Sequence, residues 1–220
     1  MTHNEFQTQN IMSPFPKNVK FFSTERFIEG GQSSGNLKNF NLALHVNDKR
    51  ENVLANRKIL KRSYNLPSEP VWINQTHSSI CINAASINSM VEADASYTSK
   101  SGVVCGIMTA DCLPVFVSKQ DGSMVGLAHA GWRGLISGVI ENLIDSFNAV
   151  EDDLVVHLGP AISKNSFEVG EEVKSLYLSK NINFERSFTF HNNKSYLDLY
   201  DAAKVILENF HIKSISGGDR

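Results

Sequence analysis

Apolar residues along this chain fall into short runs separated by polar turns, and the period of the runs changes along its length. Leu-Pro-Val-Phe-Val at 113–117 is continuous, and Met-Val-Gly-Leu-Ala-His-Ala at 124–130 is nearly so. Both read as strands. Ser-Lys-Gln-Asp-Gly-Ser lies between them and carries an Asp-Gly turn signal, so the pair reads as a hairpin. From Gly134 the period becomes helical, with Leu135, Val139, Leu143 and Phe147 on one face. A helix is also expected over 50–62, where Val53, Leu54, Ile59 and Leu60 are apolar, and two more over 167–180 and 197–210. Further strands are expected at 19–23, on both sides of His77 within 71–83, through 102–108, over 153–162 and at 213–218. Strands and helices interleave without a regular βαβ period. The fold expected is therefore α/β in the α+β-layered sense, mixed sheets packed with helices, and not a doubly wound unit. The Gly/Ser/Asn-rich loop at 29–40 does not fit GxGxxG, so dinucleotide binding is not implied.

Composition narrows this picture. Residues 1–18 are polar with Pro14 and Pro16, and read as a flexible N-terminal arm before a single domain over 19–220. A hydrophobic share of 41% and a charged share of 20% are ordinary for a globular domain. The net charge of -2 offers no basic field for nucleic acid. No apolar run approaches the roughly 18 residues a membrane helix needs, and the N-terminus lacks a signal-peptide pattern. A cytoplasmic location is expected, without nucleic-acid or membrane partners. Cys81, Cys105 and Cys112 are an odd number of thiols, which argues against a disulfide framework.

The hairpin gives one of these thiols a chemical neighbour. Cys112 precedes the first strand and His129 sits near the end of the second, so pairing around Asp121-Gly122 draws them together. His77, at a strand end among polar residues, supplies a third donor. Thiolate and imidazole are ligands zinc favours, and three protein ligands leave a position open for chemistry. Two other readings compete: Cys112 as a core residue, or Cys112 as a nucleophile with His129 as its base. A dyad has no need of His77, whereas a metal site does.

Six stretches carry a resemblance: Asn-Gln-Thr-His-Ser-Ser (74–79), Glu-Ala-Asp-Ala-Ser-Tyr-Thr (92–98), Thr-Ala-Asp-Cys-Leu-Pro-Val (109–115), Gly-Leu-Ala-His-Ala-Gly-Trp-Arg-Gly (126–134), and the segments 159–173 and 196–207. In this order they resemble the YfiH/laccase-domain family, also described as DUF152 or polyphenol-oxidase-like. The resemblance implies zinc held by His77, Cys112 and His129. It implies a layered α/β fold likened to the cytotoxic necrotizing factor catalytic domain, a cysteine hydrolase. It also implies action on purine nucleosides with phosphate: phosphorolysis of adenosine, inosine, guanosine and methylthioadenosine, with adenosine deamination beside it. Copper is the alternative metal, after the family's older polyphenol oxidase name. Seven His without an H-x-H pair, however, are too few for a multicopper cluster.

Other residues take expected roles from what the implied chemistry needs. Arg133, in a Gly-rich turn, is suited to bidentate phosphate contact, and Trp132 either stacks on a base or packs. Asn41 and His45 match a family pattern and are expected to line the pocket, with loop ordering as the competing role. Asp94 is expected as the catalytic carboxylate, ahead of Asp111, because an extended backbone turns Asp111 away from the face of Cys112. Two departures stand out. Arg26 is spaced differently from Gly30-Gly31, and the chain ends at Ile-Ser-Gly-Gly-Asp-Arg, where family members continue into an Arg-containing tail.

Overall fold

The computed structural model describes residues 13–149 and 153–218; residues 1–12 of the expected arm lie outside these. Helix α1 (Arg50–Ser63) comes first, followed by strands β1 (Val71–Trp72), β2 (Cys81–Asn83), β3 (Ala95–Thr98), β4 (Cys105–Gly106), β5 (Leu113–Lys119) and β6 (Val125–Ala130). Helices α2 (Trp132–Ser137) and α3 (Val139–Asp145) lead to β7 (Leu154–Leu158) and β8 (Glu168–Val169). The chain closes with α4 (Glu171–Lys180), β9 (Phe188–His191), β10 (Lys194–Leu197), α5 (Leu199–Asn209) and β11 (Ser214–Gly217). Among the described residues no helix is long and apolar enough to cross a membrane.

A mixed six-stranded sheet in the order β11-β7-β5-β6-β3-β2 carries the fold. Its centre is the expected hairpin, with Pro114 opposite His129 and Ser118 opposite Val125. Parallel strands close both edges, β11 on β7 and β2 on β3. A small antiparallel sheet, β8-β10-β9, and the parallel pair β1-β4 complete it. Alternation along the strands sorts the faces. Leu113, Val115, Val117, Ala128 and Ala130 meet α2, α3 and α5 through Leu135, Ile140, Leu143, Val205 and Ile206 in one continuous core. The opposite face is thinner: Phe116 and Val155 pack with Phe15 and Phe21. Phe15 is buried, so the described end of the expected arm is fastened to this face.

Three expected elements differ. The helix expected over 167–180 opens as strand β8, paired with β10, and becomes helical only at Glu171. The stretch 19–23 forms no strand; Phe21 is held edge-on to Phe15 and Phe116, at ring-centroid distances of 4.7 and 5.3 Å. Its aromatic residues mimic a strand pattern, but their packing is ring against ring. The helical stretch from Gly134 is two helices, broken at Gly138, which has φ 97°. The Gly138 N–H closes α2 by bonding the carbonyls of Gly134 and Leu135. Leu135, Val139, Leu143 and Phe147 are nevertheless all buried, because the break re-aims the second helix over β6.

Gly138→Ala tests this break by sign. A β-carbon there meets nothing closer than Glu141 at 3.7 Å, so the expected loss of about 1–2 kcal/mol in denaturant unfolding comes from the left-handed backbone. A continuous helix would instead gain about 1 kcal/mol from the same change.

Candidate metal centre

Three segments converge beyond the thinly covered face of the sheet. Along β6, Ala128 and Ala130 enter the helix-covered core, so His129 between them faces the other way. Cys112 immediately precedes β5, whose first residue, Leu113, pairs with Ala130. His77 comes from an arch. Asn74 and Ile80 are each hydrogen-bonded to the 91–95 segment, through Asn74 N–H to Val91 O at 2.9 Å and Asp94 N–H to Ile80 O at 3.0 Å. Between those anchors the chain leaves the ladder and closes over the side chain of Asp94.

Asp94 is fully buried, and its carboxylate gathers the arch around itself. Oδ2 accepts from the N–H groups of Thr76 (3.1 Å) and Ser78 (2.6 Å) and from the Ser78 hydroxyl (2.7 Å). Oδ1 accepts from the His77 N–H at 3.1 Å and is 2.8 Å from His129 Nδ1. The curvature puts His77 at φ 59°, a left-handed conformation that costs a non-glycine residue about 1–2 kcal/mol. Burial works against a charged Asp94, but the bonds from His129 and Ser78 outweigh it and hold the carboxyl down to about 2. Burial likewise opposes a protonated His129, and the bond to Asp94 overrides it, pushing the imidazole up to about 9. Burial and the neighbouring His129 lower His77.

The ligand atoms of His77, Cys112 and His129 all lie within 4.8 Å of one another, the one such donor group among the described residues. Cys112 Sγ is 3.9 Å from His77 Nε2, and the two imidazole rings are 4.8 Å apart at 66°. Zinc–sulfur and zinc–nitrogen bond lengths at a tetrahedral angle require about 3.5 Å between such atoms, so the 3.9 Å edge between Cys112 and His77 needs to close by only a few tenths of an ångström. With Nδ1 of His129 engaged by Asp94, Nε2 is the nitrogen left for a metal, the carboxylate–histidine arrangement typical of such sites. Gly131 forms one wall: a β-carbon there would fall 2.8 Å from Cys112 Sγ and 3.0 Å from His77 Cδ2. The donor set and this cradle fit a thiophilic divalent ion.

The other expected site residues are placed differently. Asp94, expected as the catalytic carboxylate, is closed to solvent with both oxygens occupied, and its geometry is that of an orienting group. Asp111 is exposed, and its carbonyl accepts from Ile162 N–H at 2.9 Å. The exposed Arg133 lies 4.2 Å from the Trp132 ring centroid and makes no ion pair among the described residues. Asn41 donates to Ala43 O at 3.1 Å and Asp48 Oδ2 at 2.9 Å, which orders its loop. His45 is exposed, and neither it nor Asn41 belongs to the donor group. Arg26 is spent within its own loop, on the carbonyls of Asn36 and Lys38. The sequence reading missed Gly131 and Ser78; a glycine directly after the Ala-His-Ala end of a strand is the signal for the first.

Gly131→Ala isolates the cradle, since φ -69° and ψ 166° suit alanine and only the added methyl disturbs the site. Metal affinity measured by chelator competition is expected to fall at least about 10-fold, while the melting temperature of the metal-free protein changes little.

Comparison with known proteins places the fold. A family described as multi-copper polyphenol oxidoreductase laccase matches residues 20–220. The chain is 39% identical over 208 residues to the purine nucleoside phosphorylase YfiH of Escherichia coli, covering 94% of this chain and 85% of that protein. The Shigella flexneri protein of the same name is 38% identical over 208 residues. Among solved structures, Neisseria meningitidis NMB0706, a DUF152 protein, superposes with a TM-score of 0.89 at 38% identity, covering 94% of this chain and 85% of that one. YlmD from Geobacillus stearothermophilus gives 0.76 at 25% identity, covering 87% and 78%. The chain therefore belongs to the laccase-like YfiH/DUF152 family.

Proposed function

We propose that this protein is a zinc-dependent purine nucleoside phosphorylase whose metal is held by His77, Cys112 and His129. The observation that carries the reading is the convergence of these three donors, with His129 oriented by Asp94, in a chain whose curated relatives are named purine nucleoside phosphorylase. The reaction takes a purine nucleoside and phosphate. A phosphate oxygen bonds to C1′ of the ribose, the C1′–N9 bond breaks, and its electron pair leaves with the base, which takes up a proton. Bound zinc supplies a Lewis acid for the oxygen or nitrogen that gains negative charge. Arg133 supplies the phosphate contact: its guanidinium is exposed, held against Trp132 and close enough for its charge to bear on His77. Adenosine, inosine, guanosine and methylthioadenosine are the nucleosides to assay, with inosine formation as the measure of adenosine deamination.

The family's laccase description invites a copper oxidase reading, which the donor inventory disfavours. A multicopper cluster draws on many histidines, and the one donor group among the described residues has two. Copper still competes for this site, since copper(II) exceeds zinc in affinity for the same ligands. A cysteine hydrolase reading uses Cys112 and His129 but leaves His77, held in a left-handed conformation beside them, without a purpose.

The purified protein is expected to hold one zinc per chain by elemental analysis and to release base and ribose 1-phosphate from a purine nucleoside. Cys112→Ser and His77→Ala should strip the metal and both products; stoichiometric zinc in both variants defeats the assignment. Thiol labelling separates the hydrolase reading. Burial pushes Cys105 up to about 11 and raises Cys81, so iodoacetamide near neutral pH should reach Cys112, and only after chelation. Arg133→Lys keeps the charge and loses the fork, and should lower the phosphate-dependent rate roughly 10- to 100-fold, about 1.5–3 kcal/mol. Zinc content and melting temperature should hold, whereas a purely structural Arg133 lowers melting and every activity together.

A further inference from the structure

The arch bearing His77 is fastened to His129 through Asp94, but a separate link joins it to Cys112. Strands β1 and β4 run parallel and stop pairing at Trp72 and Gly106. Beyond that point the two main chains part: Asn74 turns to bond with Val91 and Ala93, while the 107–112 segment runs on toward Cys112 and meets Ile162 N–H at the Asp111 carbonyl. Gln75 bridges the divergence with its side chain. Nε2 donates to Met108 O at 2.8 Å, and Oε1 accepts from Met108 N–H at 2.8 Å. This two-bond amide pair is what a further step of the β1–β4 ladder would have made, supplied across 33 positions of sequence. Gln75 lies two residues before His77, and Met108 four before Cys112. Apart from the approach of Cys112 to His77 itself, these are the hydrogen bonds the described residues show between the two segments.

We propose that Gln75 is a positioning residue that sets the separation of His77 and Cys112 for the metal, a role that rests on the metal-centre reading above. Asp94 places His77 relative to His129, and Gln75 places it relative to the thiolate, so the three donors are held by two independent braces. Neither brace touches the metal. Loss of the Gln75 amide leaves the Asp94 bonds intact and frees one edge of the triangle, the 3.9 Å edge between Sγ and Nε2.

The test uses Gln75→Met, which keeps the size and removes the amide, and Gln75→Asn, which keeps the amide and shortens its reach. Zinc affinity by chelator competition is expected to fall about 10- to 100-fold in both, the usual effect of losing a partner outside the metal's own ligands. With cobalt(II) in place of zinc, the near-ultraviolet thiolate-to-metal absorption should weaken or shift, which reports directly on Cys112. Metal-free melting curves of the three proteins separate positioning from folding. Unchanged affinity and an unchanged cobalt spectrum in a folded variant, with or without a lower melting temperature, overturn the proposal and leave the metal centre standing. A parent protein that binds neither metal overturns the centre, and the proposal with it.

Discussion

A carboxylate removed from water has to be surrounded by donors, and satisfying Asp94 is what builds this site. Leaving such a group unpaired would cost several kcal/mol. The chain meets the demand by bending residues 76–78 until three consecutive N–H groups face it, and by bringing the His129 imidazole from β6. The left-handed backbone at His77 follows from that bend. So one buried charge fixes the conformation of one donor residue and the ring orientation of another. The site's shape is set by electrostatic necessity inside the protein before any ion arrives.

The sheet supplies the frame on which this happens. Its helix-covered face is a continuous apolar core, which holds β5 and β6 in one register through Leu113, Val115, Ala128 and Ala130. Because a one-residue slip would turn every side chain over, that core also decides that His129 faces away from it. The opposite face has little of its own beyond Phe15, Phe116 and Val155, which leaves room at that level for arches and turns. Rigidity on one side permits irregular chemistry on the other.

Much of this was legible in the sequence, wherever the cause was local. The Asp-Gly turn and two flanking apolar runs announced the hairpin, and the hairpin announced the nearness of Cys112 and His129. Periodicity located α1 and α5, and in the structure Asp198 caps α5, accepting from the N–H groups of Tyr200 and Asp201. What failed depended on partners far along the chain. Phe21 and Phe22 look like strand residues, yet no strand lies beside them to pair with. Asp94 looked like a proton carrier because nothing around it in sequence reveals that the N–H groups 16 to 18 positions earlier converge on it. Gln75 gave no signal at all, since an amide bonded to main chain at Met108 leaves no pattern of spacing. Gly138 is the local exception, a glycine within a helical period whose left-handed backbone ends one helix and starts the next.

The donors and their braces all fall between residues 75 and 129, while β7, α5 and β11, which finish the sheet and its core, come from residues 154–217. On the ribosome the segment that makes the site therefore emerges while the central hairpin still lacks its neighbour β7 and its cover α5. At that stage β6 has β3 on one side, but β5 still lacks β7 on the other. An ion that joins Cys112 to His129 would add a cross-link at the open end of that hairpin, opposite the Asp121-Gly122 turn. On the reading of these donors as a metal centre, metal supply during synthesis would bear on folding yield.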